Sequence, residues 1–214
     1  MDIFLLILCV AFGYAVGSAN SAVLVGKLYK TDVRTQGSGN AGLTNTYRVL
    51  GAKAALMVLS GDILKGVVAV LFGLLLKGWA GNSAINEIFA VTAGSFAVVG
   101  HNWPVYFGFK GGKGILTTAT VIFMLDWRIG LAGLLIFTLV VLTSRYVSLG
   151  SIIGAAAIPV AAIAFGRGTA FIIFMVFLAM LAIYRHKANI IRLVHGNENK
   201  LKFKKAGSAN NENR

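Results

Sequence analysis

Residues 37–48 read GSGNAGLTNTYR, a polar and glycine-rich stretch with a long apolar run on each side. Its glycines let backbone N–H groups approach a ligand closely and adopt positive φ angles. This composition suits phosphate, which proteins bind with backbone N–H groups, helix N-termini and arginine. A polar loop whose glycines only make turns is the alternative. The side-chain donors, which no carboxylate accompanies, are Ser38, Asn40, Thr44, Asn45 and Arg48.

The apolar runs around this stretch indicate a membrane protein. Of the 214 residues, 57% are hydrophobic and 13% are charged, about half the charged fraction usual in soluble domains. The mean hydropathy is +0.78. The net charge of +13 comes from Lys and Arg residues that lie mostly between and after apolar runs. That placement is typical of membrane proteins and argues against a nucleic-acid partner.

Seven apolar runs can be distinguished, and a spanning helix needs about 20 residues. The fourth, sixth and seventh runs are shorter, so five spans with re-entrant helices are the alternative. The first run follows no basic segment, which predicts a retained helix and not a cleaved signal peptide. The runs are Ile3–Val25, Ala54–Leu76, Ile88–Gly100, Ile115–Leu125, Ile129–Leu142, Ile152–Phe165 and Ala170–Tyr184.

The distribution of cations favours seven spans with the N-terminus outside. Of the 20 Lys and Arg residues, Lys65 lies inside a span and only Lys77, Arg128 and Arg167 fall in outside loops. The remaining sixteen are inside, as the positive-inside rule requires. We therefore expect an all-α bundle with a cytoplasmic C-terminus and every polar cluster on the cytoplasmic side. Residues 1–199 would form one membrane-embedded domain, and residues 200–214 a polar basic tail.

A second polar cluster, HNWPVYFGFKGGKG, covers residues 101–114. Its end places two ammonium groups in a glycine-rich loop directly before an apolar run, where the N-terminus of a helix would bind an anion. The spacing does not fit a Walker A loop. His101 is either a structural histidine or a functional one. The candidates in this cluster are His101, Asn102, Lys110, Gly111, Gly112, Lys113 and Gly114.

Further polar residues follow the later apolar runs. His186 and Asn189 are three apart and share one helical face, although a plain polar helix end explains them too. Ser148, within SRYVSLGS, is a weaker candidate. Asp62 and Lys65 are expected to form a structural pair inside the second span. The sequence lacks HExxH, CxxC and paired carboxylates, so it predicts no metal site, and it lacks HxxxxD and GxSxG.

Four stretches together resemble the PlsY family of bacterial membrane acyl-phosphate:glycerol-3-phosphate acyltransferases. They are GSGNAGLTNTYRVLGAKAALMVLSGDILKG, GHNWPVYFGFKGGKG, SRYVSLGS and HKAN, in that order and at the family's spacing. The resemblance extends to about Asn199. It implies a bundle of seven membrane helices in the bacterial cytoplasmic (inner) membrane, with its motifs facing the cytoplasm and no metal or cofactor.

The resemblance also implies the reaction. A fatty acyl group passes from acyl phosphate to the sn-1 hydroxyl of glycerol 3-phosphate, giving lysophosphatidic acid and phosphate. The implied partners are these two substrates, membrane lipids and, functionally, the enzyme that makes acyl phosphate. A transporter or channel for a phosphorylated metabolite is the alternative, since anion-binding helix ends suit it too. However, the polar clusters collect at one face.

The family's residue roles carry over to matching positions here. His186 and Asn189 would orient glycerol 3-phosphate, and Ser38 and Arg48 would lie near the reacting centre. Arg48, Lys113 and the N–H groups of the glycine loop could neutralise charge on the carbonyl oxygen and the departing phosphate. The proton acceptor is either His101 or the phosphate of the acyl donor.

Overall fold

The computed structural model describes residues 2–76 and 86–201. Regular structure in these ranges is helical throughout. The predicted outer loop with Lys77 and the basic tail beyond residue 201 lie outside the described residues. The helices are α1 Asp2–Ser18, α2 Ser21–Leu28, α3 Leu43–Leu75, α4 Asn86–Asn102, α5 Ile115–Leu125, α6 Trp127–Ser144, α7 Val147–Ala164, α8 Thr169–Arg185 and α9 Lys187–Val194, with a 3-10 turn at Val105–Phe107.

All seven apolar runs of the sequence lie in helices, and the first run is divided between α1 and α2. Within the described residues, four segments are long and apolar enough to cross a membrane: Asp2–Leu28, α3, α6 and α7. The pair α8 and α9, bent by 58°, makes a fifth if it counts as one span. Many large apolar side chains face outward, as lipid contact requires. The fold is therefore that of an all-helical membrane protein, and the number seven stays a prediction.

The first helix packs closely against α4 through small residues. A methyl group added at Gly13 would overlap the backbone of Ala93, and one at Gly17 would overlap that of Ala97. Gly100 meets the backbone of α1 in the same way. Such close approach is how small residues support helix association in lipid. Because α4 also packs against α3, α5 and α8, it is the central helix of the bundle.

A break in α3 separates the first polar cluster from the apolar part of that helix. Gly51 has φ 82° and ψ −174°, a conformation that only glycine adopts readily. The helical turns before it carry Thr44, Asn45 and Arg48, and the apolar span follows it. The cluster is thus presented at the end of the span by a short helix of its own.

The polar groups lie at the two ends of α4. At its start, Arg167 pairs with Glu87 and with Asp126, and Asp126 also pairs with Arg128. At its end lies His101, about 20 Å away along a helix with a rise of 1.5 Å per residue. Two of the three cations assigned to outside loops, Arg128 and Arg167, therefore sit at the end opposite to the second polar cluster.

Candidate active site

The glycine loop, residues 110–114, packs against the end of α4 through its backbone. The N–H of Gly112 donates to the carbonyl of His101 at 3.2 Å. A methyl group at Gly111 would overlap that same carbonyl oxygen. At Gly112 it would overlap both the His101 ring and the carbonyl of Ala41. Ala41 belongs to the first polar cluster, so the first two clusters meet at Gly112.

Arg185, at the end of α8, holds this loop from the other side. Its guanidinium donates to the carbonyl of Gly112 at 2.7 and 3.1 Å and to that of Gly111 at 3.3 Å. It also lies over the ring of Trp103, at 5.1 Å. The sequence analysis did not select Arg185, although it directly precedes His186. Its role here is to fix the carbonyls of Gly111 and Gly112.

Lys113 connects the glycine loop to α9 and, through Asn189, to Glu198. Its Nζ donates to Oδ1 of Asn189 at 2.5 Å. The Nδ2 of Asn189 donates to Oε1 of Glu198 at 2.7 Å, and the Ser148 hydroxyl donates to the same oxygen at 2.9 Å. Arg192 donates to Oε2 at 2.7 Å. Three predicted residues, Lys113, Ser148 and Asn189, therefore meet around one carboxylate.

Glu198 and Arg192 were missed by the sequence analysis. A usable signal existed, because Glu198 is the only acidic residue between Asp126 and Glu212. Burial acts to raise the pKa of Glu198, but hydrogen bonds from Asn189, Arg192 and Ser148 outweigh it and hold that pKa below its usual value. Glu198 is thus a carboxylate that orients the surrounding donors.

The charge of Lys113 is finely balanced. Burial lowers the pKa of its ammonium group to about 8, and the positive charges of Arg192, Arg185 and Arg48 act in the same direction. The negative charge of Glu198 partly offsets them. The influence of Arg48, an exposed residue of the first cluster, is the smallest of these.

His186 lies at the bend between α8 and α9. Its Nδ1 is 2.7 Å from the carbonyl of Ala182, which requires a proton on Nδ1. Nε2 of the neutral ring is then an acceptor. The ring is nearly fully buried, and Lys113 is close enough to act on it electrostatically.

Within the first cluster, Asn45 shapes the loop. Its Oδ1 accepts from the Ser38 N–H at 2.8 Å, and its Nδ2 donates to the carbonyls of Val33 at 2.7 Å and Gln36 at 3.1 Å. Gly37 and Gly39 adopt positive φ, as the composition suggested. The side chains of Ser38, Thr44 and Arg48 are exposed, and Asn40 is half-buried beside Gly42.

Three other predicted residues, Asn102, Gly114 and Lys110, differ in their placement. Asn102 is fully buried beneath Gly114, at whose position a methyl group would lie 2.8 Å from Oδ1. Gly114 itself caps α5 with φ 75°. Lys110 is exposed, and no hydrogen bond joins its side chain to another described residue. The structure thus gathers Lys113, Asn189, Ser148 and His186, and leaves Lys110 at the edge.

Comparisons with known proteins give this arrangement a family. A family model described as glycerol-3-phosphate acyltransferase matches residues 7–196. The glycerol-3-phosphate acyltransferase of Thermoanaerobacter pseudethanolicus is 44% identical over 196 residues, covering 91% of this chain and 95% of the relative. That of Shouchella clausii is 41% identical over 206 residues, covering 94% and 98%.

Solved structures of the same family also resemble this chain. The crystal structure of PlsY, an integral membrane glycerol 3-phosphate acyltransferase, in its glycerol 3-phosphate form superposes with a TM-score of 0.83 at 34% identity, covering 92% of this chain and 96% of that one. Its lysophosphatidic acid form gives a TM-score of 0.80 at the same identity, covering 92% and 95%. The class of protein defined here is the integral membrane acyltransferase. Within that class, the chain belongs to the glycerol-3-phosphate acyltransferase family.

Proposed function

We propose that this protein transfers a fatty acyl group from acyl phosphate to the sn-1 hydroxyl of glycerol 3-phosphate. The family membership and the PlsY structures in glycerol 3-phosphate and lysophosphatidic acid forms support acylation of glycerol 3-phosphate. The hydroxyl oxygen forms a bond to the acyl carbon, and the bond from that carbon to the phosphate oxygen breaks. Acyl phosphate is a mixed anhydride with a good leaving group, so the proposed reaction uses no metal or cofactor.

The observation that carries the proposal is the junction at Lys113. There the glycine loop meets Asn189 directly, with three arginines close enough to act on the ammonium electrostatically. Both substrates carry phosphate, and a partly desolvated group of cations and N–H donors stabilises charge that develops during reaction. In the proposal Arg48 and Lys113 bear that charge on the departing phosphate and the carbonyl oxygen.

The remaining residues receive binding or positioning roles. His186 and Asn189 orient glycerol 3-phosphate, and Ser38 lies near the reacting centre. Asn45, whose amide is fully engaged in its own loop, holds the first cluster in shape. The hydroxyl proton passes to the phosphate of the acyl donor and leaves with it, and His101 is the alternative acceptor. The other residues proposed to line the substrate site are Asn40, Thr44, Asn102, Lys110, Gly111, Gly112, Gly114 and Ser148.

The proposal places the site at the cytoplasmic face of the bacterial cytoplasmic membrane. Seven spans with the N-terminus outside would put His101 and the glycine loop inside, and Arg128 and Arg167 outside. Residues 1–199 form a single domain in this proposal, with a basic tail at 200–214. Glycerol 3-phosphate would arrive from the cytoplasm, and acyl phosphate, supplied by the enzyme that makes it, would place its chain among membrane lipids.

A donor assay on detergent-solubilised protein tests the reaction. Glycerol 3-phosphate is offered with acyl phosphate or, in parallel, with acyl-CoA, and both lysophosphatidic acid and phosphate are measured. We expect equal amounts of the two products with acyl phosphate and none with acyl-CoA. Acylation from acyl-CoA alone would contradict the proposed donor. Absence of phosphate release with either donor would favour the transporter alternative.

A further inference from the structure

Three buried polar side chains beneath the glycine loop form a connected cluster. They are Asp62 and Lys65 of α3 and His101 of α4, each less than 5% exposed. The Nζ of Lys65 lies 2.8 Å from Oδ1 of Asp62 and 2.6 Å from Nδ1 of His101. The Asp62 carboxylate is 3.6 Å from the same Nδ1. Lys65 therefore lies between the carboxylate and the imidazole.

This arrangement fixes the proton on the imidazole. An ammonium group has donors and no acceptor, so the ring nitrogen bonded to it must be the acceptor. Lysine is ordinarily the stronger base, with a pKa of about 10.4 against about 6.5 for histidine. Its Nζ also lies nearer to the Asp62 carboxylate than Nδ1 does, at 2.8 Å against 3.6 Å, so the positive charge is assigned to Lys65. Nδ1 of His101 is then unprotonated, and the ring is neutral with its proton on Nε2.

The protonated nitrogen faces the glycine loop. A methyl group at Gly112 would overlap Nε2 of His101, and the backbone of Gly112 donates to the His101 carbonyl. Within residues 2–76 and 86–201, the hydrogen bond of the ring joins Lys65 to the other nitrogen, Nδ1. The other charged group acting on this ring is Arg185 of α8, which holds the loop carbonyls and opposes a second positive charge there.

We propose that the Asp62–Lys65 pair is a positioning device for acyl transfer: it holds His101 as the neutral Nε2–H tautomer and so fixes the ring against which the backbone of Gly112 packs. This inference deepens the proposed function and rests on it for the role of the loop.

The form of His101 is measured by 15N NMR of full-length, histidine-labelled protein in detergent, with His101→Gln identifying the signal. We expect protonated Nε2 and unprotonated Nδ1 from pH 6 to 8. An imidazolium or an Nδ1–H ring in the wild type overturns the inference. The measurement needs no acyl donor, so an acyl-CoA requirement in the donor assay would contradict the proposed function without affecting this result.

Lys65→Met tests the pair. Without the ammonium, Asp62 can accept from Nδ1, so we expect the Nε2–H signal to be lost. The value of kcat should fall at least about tenfold while the KM for glycerol 3-phosphate changes less than about threefold, because the change removes a positioned group and not a substrate contact. Lys53→Met, at an exposed position of the same helix, should change neither readout.

A second variant covers the case in which Lys65→Met leaves an unpaired buried carboxylate and does not fold. Asp62→Asn/Lys65→Met removes both charges, and it should also lose the preference for the Nε2–H form and at least about tenfold in kcat. Wild-type turnover in either folded variant contradicts the inference. So does lower turnover with an unchanged Nε2–H signal, which would indicate a merely structural pair.

Discussion

Lys113 is the residue at which the separate polar clusters converge. It leaves the glycine loop, bonds to Asn189 and is influenced by the charges of Arg48 and Glu198. A cation in this position can act on a phosphate only while it keeps its proton. Its burial therefore has opposite effects: it strengthens each electrostatic interaction and also makes the proton easier to lose.

Removal of either central cation should impair catalysis. Arg48→Ala and Lys113→Ala each delete a charge-assisted donor, which in a desolvated site costs about 2–4 kcal/mol. We expect kcat/KM to fall at least about 30-fold in each variant. Steady-state phosphate release from folded protein provides the measurement. Lys53→Ala is the control, and turnover near wild type in either site variant would reject that residue's role.

The pH dependence of activity should follow the titration of the Lys113 ammonium group. Because burial lowers its pKa to about 8, the ammonium is present below pH 8 and lost above it. Activity should accordingly decline as pH rises through about 8. Glu198→Gln removes the charge that raises this pKa, so the alkaline limb should move to lower pH. A kcat/KM profile from pH 6 to 10 tests both statements, and a flat wild-type profile above pH 8 would contradict them.

His101 gives a third prediction at this scale. If the ring were the base, the rate would fall as pH drops through about 6.5, and His101→Ala would lose both that limb and about 100-fold in rate. With substrate phosphate as the acceptor, an acid limb remains because phosphate titrates near pH 6. We expect His101→Ala to retain its acid limb. A flat profile between pH 5 and 8 would instead identify His101 as the base.

At the level of the structural elements, the glycine loop depends on close backbone contact. A methyl group at Gly112 would meet the His101 ring and the Ala41 carbonyl, which belong to two different clusters. Overpacking of this kind typically costs about 1–3 kcal/mol, and here it would also displace Lys113. The loop thus couples local stability to the geometry of the site.

Gly112→Ala should therefore reduce activity at least about tenfold and lower the Tm. The matched control is Gly168→Ala, because nothing lies within 4 Å of a methyl group at Gly168. Thermal unfolding and phosphate release are measured on both variants in the same detergent. If Gly112→Ala had the same Tm and activity as Gly168→Ala, the close packing of the loop would not be needed for function.

At the scale of the whole molecule, the bundle separates two polar ends. The ion pairs of Arg167 with Glu87 and Asp126 join three helix ends at one side. The glycine loop, Arg185 and the Glu198 network join the others. This division supports the proposal of a site at a single membrane face, and it agrees with the asymmetric distribution of cations in the sequence.

Cysteine labelling tests this orientation. In a Cys9→Ser background, single cysteines at Gly168 and His195 should react with a membrane-impermeant maleimide from opposite sides, with Gly168→Cys outside. Both positions are exposed, whereas native Cys9 is buried. Intact and permeabilised cells distinguish the two sides. Labelling of both positions from the same side would contradict the seven-span topology.

The sequence by itself determined where the helices lie and where the chemistry collects. Apolar runs produced helices at all seven predicted places, since a backbone in lipid must satisfy its own hydrogen bonds. Glycines with neighbouring cations identified the loops, and four motifs identified the family. These signals are local, and each can be read from a short stretch of chain.

Only the tertiary structure decided how these stretches meet. Lys65 reaches His101 across 36 positions of sequence, Ser148 reaches Glu198 across 50, and Lys113 reaches Asn189 across 76. Such contacts depend on which helices pack together and in which register, and no periodicity within one stretch encodes that. Asn45 shows the same limit. The polar stretch around it suggested a ligand donor, whereas its side chain forms hydrogen bonds within its own loop. Packing of the helix ends therefore determined which donors remain free for substrate.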